Sequence, residues 1–286
     1  MKILVTGGSG MLAADVIPTL SKAYNIIAPP KNELDVTSAE AVMNALSAEQ
    51  YDWVIHMAAF TDLDWCEDHE LEANEVNSRG TENVARACSM MGGRMVYIST
   101  SGIFSGKLGR PYTEDDVPKP ANVYGLSKYN GELAVQKWLS AERRLILRVG
   151  WLFGGGEHDK KFVGKIFRLM KSVPQIRAVA DVWGSPNYSV DIGRLMLEMI
   201  TKQITGLFHV ANSGEPASRY DIAMAVIGAA GLSVEIEAVP ASQFPTRAVR
   251  PPLEAITSVK LRDAVGYNLR HWRDALSEYV HRLSGT

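Results

Sequence analysis

A chain of 286 residues, 46% hydrophobic and 22% charged, can bury a substantial core as one large or two modest domains. Thirty basic residues against 32 acidic ones leave a formal net charge of -2, so no overall field draws the chain toward nucleic acid or an anionic membrane. The only two cysteines, Cys66 and Cys88, have no CxxC or Cys/His spacing, which speaks against a disulfide framework or a metal site and fits a reducing compartment.

The N-terminus, MKILVTGG, enters a strand without a signal-peptide architecture, and no apolar run reaches about 18 residues. A cytoplasmic protein with no membrane partner is expected. KILVT (2 to 6) is a short β-rich run followed at once by a glycine turn and an apolar helical pattern. Gly7, Gly10 and Ala13 spell T-G-x-x-G-x-x-A. Small residues there let backbone N–H groups, including those of Met11 and Leu12 at the helix start, approach a pyrophosphate. The competing reading is a turn that needs only positive φ.

The second strand, NIIA (25 to 28), ends in Pro29, Pro30 and Lys31, with Asp35 a little later. An acid at this strand tip would bond the adenosine ribose, whereas a base suits a 2′-phosphate, so Lys31 tilts the cofactor toward NADPH, with NADH the alternative. An exposed, merely solvated Lys31 is the other reading. LDVTSAEAVMNAL (34 to 46) reads as a helix capped by Thr37 or Ser38. YDWVIHMAAF (51 to 60) reads as a buried third strand whose terminal Ala58 and Ala59 leave room for a ligand. A long helical segment over 69–92 leads to RMVYIST (94 to 100), where Ser99, Thr100 and Ser101 bring hydroxyls to the carboxyl end of a strand. In doubly wound sheets that end opens on the ligand crevice.

ANVYGLSKYNGELAVQ (121 to 136) places Tyr124 and Lys128 on one helix face, roughly 6 Å apart along the axis. A neighbouring ammonium favours phenolate, so Lys128 is expected to lower the Tyr124 pKa and make it a proton donor and acceptor. An amphipathic surface helix would show the same spacing. RLILRVGWLFG (144 to 154) and GLFHVAN (206 to 212) give two further strands. Alternating strands and helices argue for an α/β, doubly wound parallel sheet with helices on both faces. Residues 1–150 are expected to form the dinucleotide-binding domain and 151–286 a smaller substrate lobe, with part of 190–212 returning to the main sheet. In that lobe HDKKFVGKIFRLMKSV, DIGRLMLEMITK and SRYDIAMAVIGAAG read as helices, the last capped by Ser218 and stopped by Gly231. Arg247 and Arg250 lie in a loop before Pro251 and Pro252.

TGGSGML, YISTSGIFSG (97 to 106), VYGLSK (123 to 128), LRVGWLFGGG (147 to 156) and the Arg-Pro pair at 250 and 251 together resemble the extended short-chain dehydrogenase/reductase family, in its dTDP-4-dehydrorhamnose reductase branch. The resemblance spans nearly the whole chain and implies a Rossmann fold. It gives Thr100, Tyr124 and Lys128 the catalytic places and Trp151 that of a substrate-stacking tryptophan. The stretch from Asp181 to Asn187 takes the place of a substrate loop. The implied reaction is hydride delivery from the nicotinamide to a keto carbon, with Tyr124 protonating the alkoxide and Thr100 bonding its oxygen. Lys128 would grip the nicotinamide ribose, and Asn77 would orient Lys128 through water or simply be exposed. The implied substrate is a nucleotide-linked 4-keto-6-deoxy sugar touching Thr100, Ser101, Tyr124 and Trp151, its diphosphate meeting Arg250; the bland alternative is that Arg250 is solvated.

Departures fall in the substrate half. Ser101 and Gly102 stand where that branch usually has Asp and Tyr, Leu253 where it has Asn, and Phe60 where it has His. A 4,6-dehydratase needs an acid beside the threonine, and Ser101-Gly102 offers none. The remaining alternatives are a nucleotide-sugar epimerase and a non-catalytic dinucleotide-binding subunit, like the regulatory subunit of methionine adenosyltransferase. The expected partners are the small-molecule nucleotide sugar and, optionally, a second copy in a homodimer.

Overall fold

The computed structural model describes residues 1–285. The N-terminal half runs β1 (Lys2–Thr6), α1 (Met11–Leu20), β2 (Asn25–Ile27), α2 (Ala39–Ser47), β3 (Trp53–His56), α3 (Leu63–Asp68), α4 (Glu70–Asn74), a π-helical turn (Glu75–Gly80), α5 (Thr81–Met90), β4 (Arg94–Thr100), α6 (Val123–Trp138) and β5 (Arg144–Val149). It continues with β6 (Trp151–Phe153), α7 (Phe162–Leu169), β7 (Gln175–Val179), β8 (Trp183–Gly184), β9 (Pro186–Tyr188) and α8 (Ser189–Thr201). β10 (Gly206–Val210), β11 (Ala217–Ser218), α9 (Arg219–Ala230), β12 (Glu235–Val239), α10 (Val259–Val265) and α11 (Trp272–Ser284) complete it.

Six strands pair in the order β10-β5-β4-β3-β1-β2, every pair parallel. The strands read as near-continuous apolar runs because both faces are covered. Alternate residues go to opposite sides: Ile3 and Val5 join Val16, Ile192 and Leu195 beneath α1 and α8. Leu4 and Val54 meet Val42, Val84 and Val135 beneath α2, α5 and α6. A further core joins Phe153, Phe167, Tyr188, Ile222 and Trp272 among β6, β9, α7, α9 and α11.

The chain reverses direction across the sheet at β1, which lies between β2 and β3. The crevice beyond the carboxyl ends of β1 and β3 is therefore the topological place for a ligand. Ser218 caps α9 in a reciprocal capping box with Asp221, and Gly231 ends it in the left-handed region, as the sequence leads one to expect. Ser38 caps α2, so Leu34–Thr37 precede the helix.

Three segments are shorter or more broken than their apolar patterns suggest. β3 stops at His56 because the Asn77 side chain engages the backbone of Phe60, accepting from its N–H (2.8 Å) and donating to its carbonyl (2.9 Å). The long helix over 69–92 is interrupted by the π-helical turn that carries Asn77. The run 144–154 divides at Gly150: β5 stays in the main sheet, while β6 leaves it to pair with β9.

Candidate active site

The glycine turn is held where only glycine fits. Gly7 has φ +73°, and a Cβ there would lie 2.5 Å from the Ala58 nitrogen. Its carbonyl accepts from the Gly10 N–H at 3.1 Å, closing the turn directly before α1. No side chain caps α1 and no acidic residue occupies its first turn. The N–H groups of Met11 and Leu12 thus open a positive helix end beside Ala58 and Ala59, a donor set that fits a dinucleotide pyrophosphate.

Gly8 packs against Ala28, since a Cβ on it would lie 3.0 Å from the Ala28 Cβ, so the tip of β2 borders the same crevice. Lys31, just beyond that tip, is exposed, its ammonium 5.9 Å from the Phe60 ring centroid. Asp35 turns inward instead. Its Oδ1 accepts from the Thr37 N–H (2.9 Å) and hydroxyl (2.8 Å), bonds that hold its pKa below the usual carboxylate range. One oxygen of Asp35 is thereby committed to a turn.

Tyr124 and Thr100 are brought together by the start of α6. Asn122 caps that helix, its Oδ1 accepting from the Gly125 N–H at 2.8 Å. A Cβ on Gly125 would lie 2.2 Å from the Gly102 carbonyl oxygen, so the turn after β4 seats directly on the first turn of α6. The Thr100 hydroxyl accepts from the Gly102 N–H at 3.1 Å and lies beside the Tyr124 ring, both within contact distance of the same point above Gly102. Ser101 is buried in that turn. At Gly102 a Cβ would meet Thr100 Oγ1 at 3.4 Å and Tyr124 Cε1 at 3.6 Å. A Cβ at Gly102 would thus make ordinary contact with the Thr100 side chain and the Tyr124 ring.

Lys128 is buried one turn further along, its ammonium 4.2 Å above the Tyr97 ring centroid. Tyr97 in turn donates to the Lys128 carbonyl at 3.0 Å. Burial pulls the Lys128 pKa down to about 7, with the Glu132 carboxylate opposing. Burial pushes the Tyr124 pKa up to about 12, only partly offset by the neighbouring Thr100 hydroxyl. This corrects the expectation that Lys128 lowers it: desolvation of the phenolate outweighs an ammonium that is drawn toward Tyr97 and Glu132. At neutral pH Tyr124 is therefore a phenol, the form that can donate a proton.

Asn77 is fully buried, and besides bonding Phe60 it donates to Ser127 Oγ at 3.0 Å. Ser127 Oγ donates to the Tyr124 carbonyl at 2.9 Å. Asn77 thus ties the loop after β3 to the helix turn that carries Tyr124 and Lys128, by direct bonds.

The wall facing these groups comes from the second half of the chain. A Cβ on Gly184 would fall 2.3 Å from Trp151 Cε2, so the Gly184 backbone lies flat on that ring. The Arg219 guanidinium carbon sits 3.8 Å from the Trp151 ring centroid. Gly184 and Arg219 thus both pack on the Trp151 ring. The Trp151 Nε1–H donates to Glu254 Oε2 at 2.8 Å. Arg250, expected to meet a diphosphate, is instead paired with Asp64 at 3.0 Å and also donates to the Ala248 carbonyl.

Of the proposed substrate loop, Asp181 accepts from the Ala241 N–H (2.7 Å), and buried Asn187 bonds Gly150 and Asn212. Three residues not singled out by sequence line the cleft: Lys161, which donates to Thr61 across it (2.9 Å), Arg219 and Glu254. Each is a lone charge in an irregular stretch or at a helix end, without a local pattern to mark it.

A family model for the RmlD substrate binding domain matches residues 1–284. The chain belongs to this family. Its sequence is 33% identical over 290 residues to a dTDP-4-dehydrorhamnose reductase of Mycolicibacterium smegmatis, covering 99% of this chain and 86% of that protein. Among solved structures, the dTDP-4-dehydrorhamnose reductase of Yersinia enterocolitica is 38% identical with a TM-score of 0.91, over 99% of both chains. That of Bacillus anthracis, solved in complex with NADP, is 30% identical with a TM-score of 0.93, over 98% of this chain and 99% of that one. The expected Rossmann-like fold and the resemblance to the reductase branch both hold. No helix among the described residues is long and apolar enough to cross a membrane.

Proposed function

We propose that the chain reduces the keto group of a nucleotide-linked 4-keto-6-deoxy sugar, using NADPH. The observation that carries this reading is that the turn after β4 seats on the first turn of α6, which sets the Thr100 hydroxyl beside the Tyr124 ring. The cofactor, when bound, supplies the hydride. Tyr124 donates its proton to the oxygen of the reduced carbonyl, and Thr100 holds that oxygen in line. Lys128 bonds the nicotinamide ribose and compensates the charge that Tyr124 takes on. The N–H groups of Met11 and Leu12 bind the pyrophosphate, and Lys31 meets the 2′-phosphate. Residues 1–150 carry these cofactor groups and 151–286 most of the substrate wall.

Arg219, rather than Arg250, is the better-placed clamp for the substrate diphosphate. It has no hydrogen-bond or ion-pair partner among the described residues and is preorganised on Trp151, whereas Arg250 is engaged by Asp64. Guanidinium forks suit phosphate oxygens. The test is a panel of nucleoside-diphosphate keto sugars followed by nicotinamide absorbance. Turnover of a dTDP-linked 4-keto-6-deoxyhexose supports the reading; tight NADPH binding with no turnover of any member would replace it with a non-catalytic binding role.

A further inference from the structure

We propose that Glu254 is a specificity-determining residue that accepts a hydrogen bond from a ring hydroxyl of the substrate's sugar. Glu254 is 8% exposed, a degree of burial rare for a carboxylate without a full set of partners. Its backbone is fixed by a bond from its N–H to the Trp183 carbonyl at 2.8 Å. Its Oε2 takes the Trp151 indole N–H, while Oε1 is buried with no donor among the described residues.

An unpaired buried oxygen is a standing cost in the free protein, removed by a ligand that brings a donor. Holding Trp151 alone needs only one acceptor; the second oxygen is what a carboxylate adds. Arg219 does not satisfy it: its guanidinium carbon sits 3.8 Å from the Trp151 ring centroid, and no donor among the described residues reaches Oε1. The loop carrying Glu254 also abuts the segments of the reaction centre: a Cβ on Gly106, shortly after Thr100, would lie 3.2 Å from the Leu253 nitrogen, and Asn122, the cap of α6, donates to the Val249 carbonyl at 2.9 Å. Glu254 thus joins the Trp151–Arg219 stack to the loop that abuts the Thr100 and Tyr124 segments, the span assigned to the sugar in the reading above. A neutral hydroxyl is the donor that suits this place, since Arg219 and Arg250 already supply positive charge around the carboxylate.

This inference rests on the nucleotide-sugar reading above, and its test separates the two. Calorimetric binding of dTDP and of dTDP-rhamnose to the full chain loaded with NADP gives the affinity gained from the sugar. In the wild type that gain should be about tenfold or more. Glu254→Ala should abolish most of it while leaving dTDP affinity within about twofold. Glu254→Gln guards against misfolding: the donor-only indole fixes the amide oxygen toward Trp151, so an NH2 faces the sugar and the gain should fall less. An unchanged gain in both variants, no gain in the wild type, or equal loss for dTDP and dTDP-rhamnose would overturn the proposal. A wild type that turns over no keto sugar but shows the Glu254-dependent gain would sink the reductase reading and leave the role of Glu254 standing.

Discussion

Around the glycine turn the groups offered to the proposed cofactor are backbone N–H groups, and the residues exposing them lie within one turn and the start of one helix. Around Trp151 they are side chains gathered from Trp151, Arg219 and Glu254 over the Gly184 backbone, four points that meet only after the chain has crossed the molecule several times. A backbone site has one physical solution: small residues in a fixed local pattern at the end of a strand. A side-chain wall has many, and each can be altered by one substitution. The crevice can therefore stay constant among proteins whose walls, and substrates, differ.

The largest expected effect lies where the two regions meet. Tyr124→Phe should reduce turnover about a hundredfold or more, yet leave NADPH affinity nearly intact, because the crevice is built without the phenol. Stopped-flow turnover together with a fluorescence titration of NADPH checks both halves. A variant with wild-type turnover would remove Tyr124 from the proton step.

Much of the crevice was legible in sequence because its determinants are local: Gly7, Gly10 and the strand before them, Ala58 at the end of another, and the Tyr124–Lys128 spacing within one helix. The wall was legible only at Trp151, and even there the ring's neighbours were not, since Gly184 and Arg219 approach it from 33 and 68 positions away. The electrostatics were misjudged for a related reason. Spacing on a helix says that an ammonium is near a phenol, but not that burial costs the phenolate more than the ammonium returns. The break after His56 was hidden too, because Asn77 competes for the Phe60 backbone from a separate helix.

Within the wall, Arg219→Ala and Arg250→Ala sharpen the contrast. Arg219→Ala should raise the KM for the nucleotide sugar about tenfold or more by removing a charge-assisted phosphate contact. Arg250→Ala should raise it less, because its guanidinium is engaged by Asp64. The reverse ranking in steady-state kinetics would return the diphosphate to Arg250.

In the crevice, Lys31→Ala should lower the preference for NADPH over NADH about fivefold to tenfold, a loss matching one exposed charge-assisted contact. Parallel titrations of both nucleotides read it out. Equal affinities in the wild type would leave Lys31 as a solvated residue.

The last effect is on stability rather than activity, and concerns pH. In the folded protein Lys128 has a pKa of about 7 against an ordinary 10.5. Between those values the unfolded chain holds a proton that the folded chain lacks, so stability rises with pH. The gain is complete above 10.5 and lost as pH falls to about 7. Lys128→Met should flatten that slope in urea denaturation of the cofactor-free protein. A slope unchanged by the substitution would mean that Lys128 is not the group responsible.

If both regions act on one carbonyl carbon, isotope transfer will show it. The full chain is incubated with NADPH deuterated at the transferable position and a dTDP-linked 4-keto-6-deoxyhexose, and the product is examined by mass spectrometry and NMR. The account predicts a single deuterium on sugar C4, with none incorporated by Tyr124→Phe on the same timescale. A wild-type protein that binds the deuterated nucleotide and the sugar together, yet transfers no label, would contradict it.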